Sequence, residues 1–410
     1  MALAVSAITA TPPAHASGTA AIVAPTDAGD LYRPALAKYG WNCVVVTSTH
    51  TPALTGPYLR LIRHRGDLED TSRQLHDLGV QAVIAGSHDG TELADLLADR
   101  LRLPCNTPEF AAIRRDIAFT NAALRDAGIT APRSIRTTSL PDALAWASHN
   151  HVNELVLQHP DPAAPEPSHH CHSADDIRLA WHHLSRPGTQ PLVLREHFAG
   201  TRYRVHTLSG QGPDGAVEHT ITSMWSEVHT LHHQVCREDL CSSRGLIARA
   251  LTMFTTRVLN ALGVRYGHAR AMISFVPDSG PALLSLRTDP SAGDVIGDAP
   301  QAAVPDDPIR DTAQLVATGH RHTAPAPRRT QVAKIALLPR GDGALDETLL
   351  RTITALPTVV ATTSLEAGMR VHAGRIAGWL LLVAGDRRAI NQDHQAVRAA
   401  ENHGLYGRSA

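Results

Sequence analysis

Residues Tyr266 to Asp289, YGHARAMISFVPDSGPALLSLRTD, decide how this chain is read. From Tyr266 to Val276 the side chains alternate. Ala269, Ala271, Ile273 and Phe275 fall on one face; His268, Arg270, Met272 and Ser274 fall on the other. Pro277 to Pro281 (PDSGP) has turn composition, and alternation resumes from Ala282, with Leu283, Ser285, Arg287 and Asp289 expected on one face. The pattern predicts a β-hairpin with one apolar side and one side free for chemistry.

The helix before it, predicted to start at a Ser242 or Ser243 cap, carries an apolar stripe of Leu246, Ile247, Leu251, Phe254, Val258 and Leu262 and stops at Gly263. Upstream, Arg202 to Leu208 and Val217 to Met224 read as an antiparallel pair, and Leu192 to Glu196 and Glu154 to Gln158 as strands. Pro160 to His172 (PDPAAPEPSHHCH) reads as a loop. Helices are expected over Arg115 to Gly128, Leu140 to His149 and Asp175 to Leu184. Nearer the N-terminus, short apolar strands at Ala20 to Ala24, Cys43 to Thr47 and Ala82 to Ala85 alternate with helices ending near Gly40, Gly79 and Leu101. That alternation implies a parallel α/β sheet. The expected organisation is a disordered leader (1–18), an N-terminal α/β domain (19–115), a central pair of lobes (116–289), a linker rich in Asp, Pro, Ala and Arg (290–330) and a small C-terminal α+β lobe (331–410).

Composition narrows the function. The chain has 410 residues, 43% hydrophobic and 19% charged, with a formal net charge of −1. That balance gives no footing for nucleic acid or an anionic membrane, and no apolar run approaches the ~20 residues of a membrane helix. Five irregularly spaced cysteines, Cys43, Cys105, Cys171, Cys236 and Cys241, fit reduced thiols in a cytoplasmic protein. Lys38 and Lys334 are the only lysines.

In order and spacing, four segments resemble the ATP-grasp superfamily, and in particular the bacterial amino-acid and peptide (carboxylate–amine) ligases. They are Thr91 to Ile129 (TELADLLADRLRLPCNTPEFAAIRRDIAFTNAALRDAGI), Leu192 to Ser209 (LVLREHFAGTRYRVHTLS), Val258 to Ala271 (VLNALGVRYGHARA) and Gly378 to Gly407 (GWLLLVAGDRRAINQDHQAVRAAENHGLYG). The resemblance implies a three-part ATP-grasp fold. It also implies an ATP- and magnesium-dependent ligase that joins a carboxylate to an amine through an acyl phosphate.

Most of the chemistry the resemblance implies is missing. The family's Arg-Arg-Asp-Lys is Arg114-Arg115-Asp116-Ile117, so Ile117 stands for a phosphate-binding lysine. Gln158 stands for the second lysine. The glycine-rich phosphate loop is replaced by Pro160 to Ser168, with four prolines and no glycine, and each proline removes an N–H donor. Met272 and Ser285 stand for the metal-binding glutamates, Arg287 for a small or amide residue, and Asp289 for a substrate-binding arginine. Arg202 stands for the later glutamate of the hinge motif. Glu196, His197 and Phe198 keep the adenine hinge. A soft thioether is a poor ligand for magnesium, and an arginine beside it repels the ion.

The expectation is therefore a degenerate ligase with no assured cofactor, acting beside an active ligase or another biosynthetic enzyme, or binding a small molecule. The alternative is a working ligase that uses ATP and magnesium in an unorthodox site. A third reading takes metal at His169, His170, Cys171 and His172, or at His229, His232, His233, Cys236 and Cys241; against it, histidine simply fills polar positions in a chain of 25 histidines. His268, Arg270 and Arg287 either receive an anion or pair with Asp289 or Glu196.

Overall fold

In the computed structural model the described residues are 17–47, 54, 56–150, 154–164, 168–185, 190–230, 234–276, 279–290, 307–320, 330–363 and 365–407. The expected leader therefore lies almost wholly outside them, as do His232 and His233.

The N-terminal sheet is parallel, ordered Arg60–Arg63, Trp41–Thr47, Gly18–Val23, Ala82–Ala85. Its strands are nearly continuous runs of buried Ala, Val and Ile because helices cover both faces. The short edge strand Arg60–Arg63 has only one fully buried residue, Ile62, which is why its pattern is faint in the sequence.

One helix covering this sheet comes from the stretch expected to be linker. Pro308–Thr318 starts on an Asp307 cap, with Pro308 at its first position, and ends at Gly319 with φ +68°. Ile309, Ala313 and Val316 pack with Ala20, Tyr32 and Leu36 in the N-terminal core. Spacings of four and three put those residues on one helix face, which supplies the apolar stripe a linker would lack.

The centre of the molecule is an eight-stranded sheet. Its order is Gly280–Arg287, Gly267–Val276, Thr201–Gln211, Val217–His229, Val235–Leu240, Gln331–Leu337, Gly378–Ala384, Val359–Thr362. The C-terminal strands thus extend the central sheet. A smaller antiparallel sheet, ordered Ser134–Thr137, Leu192–Glu196, Leu155–Gln158, His169–Cys171, stands apart from it. His169–Cys171 pairs with Leu155–Leu157, so the end of the proline-rich stretch is strand rather than loop.

The hairpin forms as expected, with one difference. Met272 is opposite Ser285 but Ile273 is opposite Leu283, so Leu284 is an extra residue in a β-bulge. The bulge turns Leu283 into the core beside Ala271 and Ile273, away from Ser285 and Arg287. The helix against this apolar face runs Leu246–Ala261. It is capped by Gly245 at φ +108°, not by Ser242 or Ser243. Leu251, Phe254, Val258 and Leu262 are buried in that core, whereas Leu246 and Ile247 in the first turn are 83% and 46% exposed. The stripe predicted from spacing is therefore shorter by one turn at its start.

The expected Arg115 to Gly128 helix runs Ile117–Asp126, and a separate short helix, Ala111–Arg114, precedes it. Asp116 starts it, accepting hydrogen bonds from the N–H groups of Ala118 and Phe119 as an N-cap.

Candidate functional site: a cleft between two sheets

Alternation on the eight-stranded sheet places a row of polar side chains on the side opposite the hairpin core. Arg287 is opposite Arg270, which is opposite His206; Ser285 is opposite Met272, which is opposite Arg204. The row continues through Glu227, Glu238 and Lys334, which are register partners on successive strands.

Ile117, Gln158, Arg202, Met272 and Ser285 all line one cavity of about 210 Å³. It lies between this face, the smaller antiparallel sheet and the start of the Ile117–Asp126 helix. The structure therefore gathers five residues spread over 169 positions of sequence (117 to 285). Arg195, Asp161 and His170 complete much of its polar wall. The volume is below the ~300–1,000 Å³ of pockets that enclose drug-sized ligands.

Ile117 is buried, and its N–H donates to the carbonyl of Pro160 at 2.9 Å, which fixes the proline-rich stretch over the helix start. Gln158 Oε1 accepts from Arg195 Nε at 3.0 Å, and Arg195 Nη1 reaches the carbonyl of Glu196 at 3.2 Å. Burial lowers the Arg195 pKa to about 10, and the nearby charge of Arg202 adds to the effect. Burial also lowers the Arg202 pKa, against the pull of Glu227.

The hinge is engaged within the protein. The N–H of Glu196 donates to the carbonyl of Arg133 and that of His197 to the carbonyl of Glu154. The Glu196 carboxylate accepts from Arg133 N–H at 2.8 Å and Arg133 Nε at 2.6 Å. Phe198 accepts at its carbonyl from the Ser274 hydroxyl at 2.9 Å. Glu196, His197 and Phe198 do not line the cavity, although Arg195 beside them does.

Arg287 and Asp289 lie at the edge of the sheet face. They pair at 2.5 and 3.1 Å, and His88 Nδ1 stands 3.4 Å from Asp289. His88 Nε2 is 3.0 Å from Asp161, whose other oxygen is 3.9 Å from Arg115. Burial alone would raise the Asp289 pKa, but His88 and Arg287 outweigh it and hold the carboxyl at about 2. For His88, burial favours the neutral ring, and Asp161 with Asp289 overcomes it, raising the pKa. Of the two pairings expected for the hairpin cations, that with Asp289 is present. Glu196 pairs with Arg133 instead, and His268 packs on His206 with their rings 5.3 Å apart.

Deeper in the row, Arg204 bridges Glu227 and Glu238 at 2.9 Å each. Lys334 is 2% exposed, 3.8 Å from Glu238 and 4.6 Å from the centre of the Trp225 ring. Sequence reading placed Lys334 in a separate lobe and missed both glutamates. Charged residues alternating with apolar ones along Val217–His229 and Val235–Leu240 were the available signal, but the same pattern marks a solvated strand face.

Magnesium does not fit this donor set. Met272, Ser285 and Arg287 offer no carboxylate. Glu227 and Glu238 share one guanidinium, and Asp289 is held by Arg287 and His88. Among the described residues no three His, Cys, Asp or Glu side chains converge as a metal site, the described part of either histidine cluster included.

The parallel N-terminal sheet, the cleft between two antiparallel sheets and the C-terminal strands define the fold of the ATP-grasp carboxylate–amine ligases. The L-amino acid ligase of Bacillus licheniformis superposes with a TM-score of 0.69 over 93% of this chain and 97% of its own, at 13% identity. Carboxyaminoimidazole ribonucleotide synthase from Aspergillus clavatus, solved with ATP, gives 0.68 over 94% and 99%, at 12% identity. In sequence, Dapdiamide A synthase of Enterobacter agglomerans is 25% identical over 283 residues, 62% of this chain and 62% of that protein. The match thus spans less than two thirds of that relative's length. No protein-family model matches the chain. Among the described residues, no helix is long and apolar enough to cross a membrane.

Proposed function

We propose that this chain is a catalytically degenerate member of the ligase-like ATP-grasp proteins, serving as a partner, regulator or ligand-binding protein in a biosynthetic pathway. One observation carries the reading. The cleft where the resemblance places the phosphate- and metal-binding groups is lined by Ile117, Gln158, Arg202, Met272 and Ser285. None of them can bind magnesium as a carboxylate does, and the lysines are absent.

Single losses of this kind cost ~10²–10³ in rate. Loss of both lysines, the glycine loop and the metal carboxylates together removes the means of forming an acyl phosphate. Lys334 does not restore it, because its ammonium is committed to Glu238 and Trp225.

Calorimetric titration with ATP, with and without magnesium, tests the reading. No magnesium-dependent binding is expected. Micromolar Mg–ATP binding, with ADP released when amino acids are added, would establish the competing reading of an active ATP-dependent amide ligase. That reading draws on the identity to Dapdiamide A synthase.

A further inference from the structure

We propose that the cleft is a metal-independent site for a small phosphate-bearing anion, held by Arg195 and Arg202. The proposal rests on the reading of this cleft as a non-catalytic ligand site, and it names the ligand's chemistry.

Both arginines line the same cavity of about 210 Å³. Arg195 is 8% exposed. Its hydrogen bonds go to neutral oxygens, those of Gln158 and the Glu196 carbonyl. Arg202 reaches His229 at 3.4 Å. Among the described residues no carboxylate lies within 4.0 Å of either guanidinium. Two like charges facing one cavity oppose each other; burial first, and the charge of Arg202 second, lower the Arg195 pKa.

Buried cations are ordinarily paired, because an unpaired charge in a protein interior costs several kcal/mol. Asp161 does not supply the missing charge, since it is already bound to His88 and close to Arg115. Glu227 is likewise taken by Arg204 and His229.

The charge, the size and the donors agree on the ligand. Two guanidiniums match a dianion better than a carboxylate, and their planar forks suit phosphate oxygens. Ser168, His170 and Ser285 on the same wall can hydrogen-bond a third oxygen. A group bound this way needs no bridging magnesium, since the arginines occupy the role of the cation.

The test is calorimetry of the full chain in EDTA with inorganic phosphate and with glycerol 3-phosphate. Saturable binding is expected, weakened at least about tenfold in Arg202→Met. Phosphate binding as tightly as the ester identifies the free anion as the ligand; tighter binding of the ester identifies a phosphomonoester. Without ligand, Arg202→Met should unfold at a higher temperature than the wild type, because it removes one of the two like charges that line the cavity. A second variant, Met272→Glu, places a carboxylate on the same cavity wall and should suppress phosphate binding. No saturable heat with either anion, or binding undiminished in both variants, overturns the proposal. Failure of the pseudo-ligase reading would instead show as ADP release in magnesium, so the two failures are seen in separate experiments.

Discussion

Arg287, the last residue of the hairpin's second strand, and Asp289, two residues beyond it, close on each other through two hydrogen bonds of 2.5 and 3.1 Å. Their positions are those where the ligase resemblance places a small metal-site residue and a substrate-binding arginine. An internal ion pair, completed by His88 from 201 residues away, stands in their place. The end of the strand is thus tied to the N-terminal domain through charge instead of being open to a substrate.

Asp289→Asn should lower stability by about 3–5 kcal/mol, the usual effect of removing one member of a buried pair. The pH dependence has two flanks. Asp289 titrates at about 2, below its unfolded value of ~3.9, so its contribution is present above pH 4 and lost as pH falls toward 2. The His88 pKa is raised, so its contribution is present below ~6.5 and lost as pH rises through the folded value. Urea unfolding should show the largest gap between wild type and Asp289→Asn from about pH 4 to pH 6.5, narrowing on both sides.

Restoring the lysines should not restore a ligase. Ile117→Lys with Gln158→Lys returns two phosphate-binding cations, but Met272, Ser285 and Arg287 still hold no metal. Coupled-enzyme assay of ADP release should stay at background for the double variant. Turnover above background would mean that the metal positions are not the barrier.

Lys334 is expected to act in the fold and not in chemistry. Lys334→Met leaves Glu238, among the described residues, with Arg204 as its paired cation and should cost about 3 kcal/mol in a denaturant titration. Glu238→Gln should also destabilise. The double variant should cost less than the sum of the two, with a coupling of about 1–3 kcal/mol between residues in one network. Additive losses would show that Lys334 and Glu238 act independently.

Gly200 sets the spacing between hinge and hairpin. A Cβ there would lie 2.4 Å from the Phe275 carbonyl oxygen and 2.8 Å from Ser274 Oγ. Backbone gives way less readily than a side-chain end, so Gly200→Ala should cost about 1–3 kcal/mol. It should also weaken the Ser274 to Phe198 hydrogen bond. A thermal melt unchanged from wild type would show that the two elements can separate freely.

Periodicity determined a good deal by itself. Alternation from Tyr266 to Asp289 gave the hairpin, apolar runs gave the parallel strands, and spacing gave the buried middle of the helix before the hairpin. These are local signals, set by the repeat of strand or helix against one buried face. The absence of lysine and glutamate at the site positions was equally legible, since composition needs no coordinates.

What the sequence could not place was everything fixed by register or by distance along the chain. The bulge at Leu284 moves Leu283 to the core, and only the pairing with Met272 and Ile273 shows it. The helix Pro308–Thr318 had its cap, its proline and its stripe in the sequence, but its composition resembled a linker until its apolar face met Tyr32 and Leu36. The convergence of Arg195 with Arg202, of His88 with Asp289, and of Arg204 with Glu227 and Glu238 was decided by the tertiary structure alone. A charged residue on an alternating strand has the same sequence signature whether it faces water or a buried partner, and burial is what separates the two.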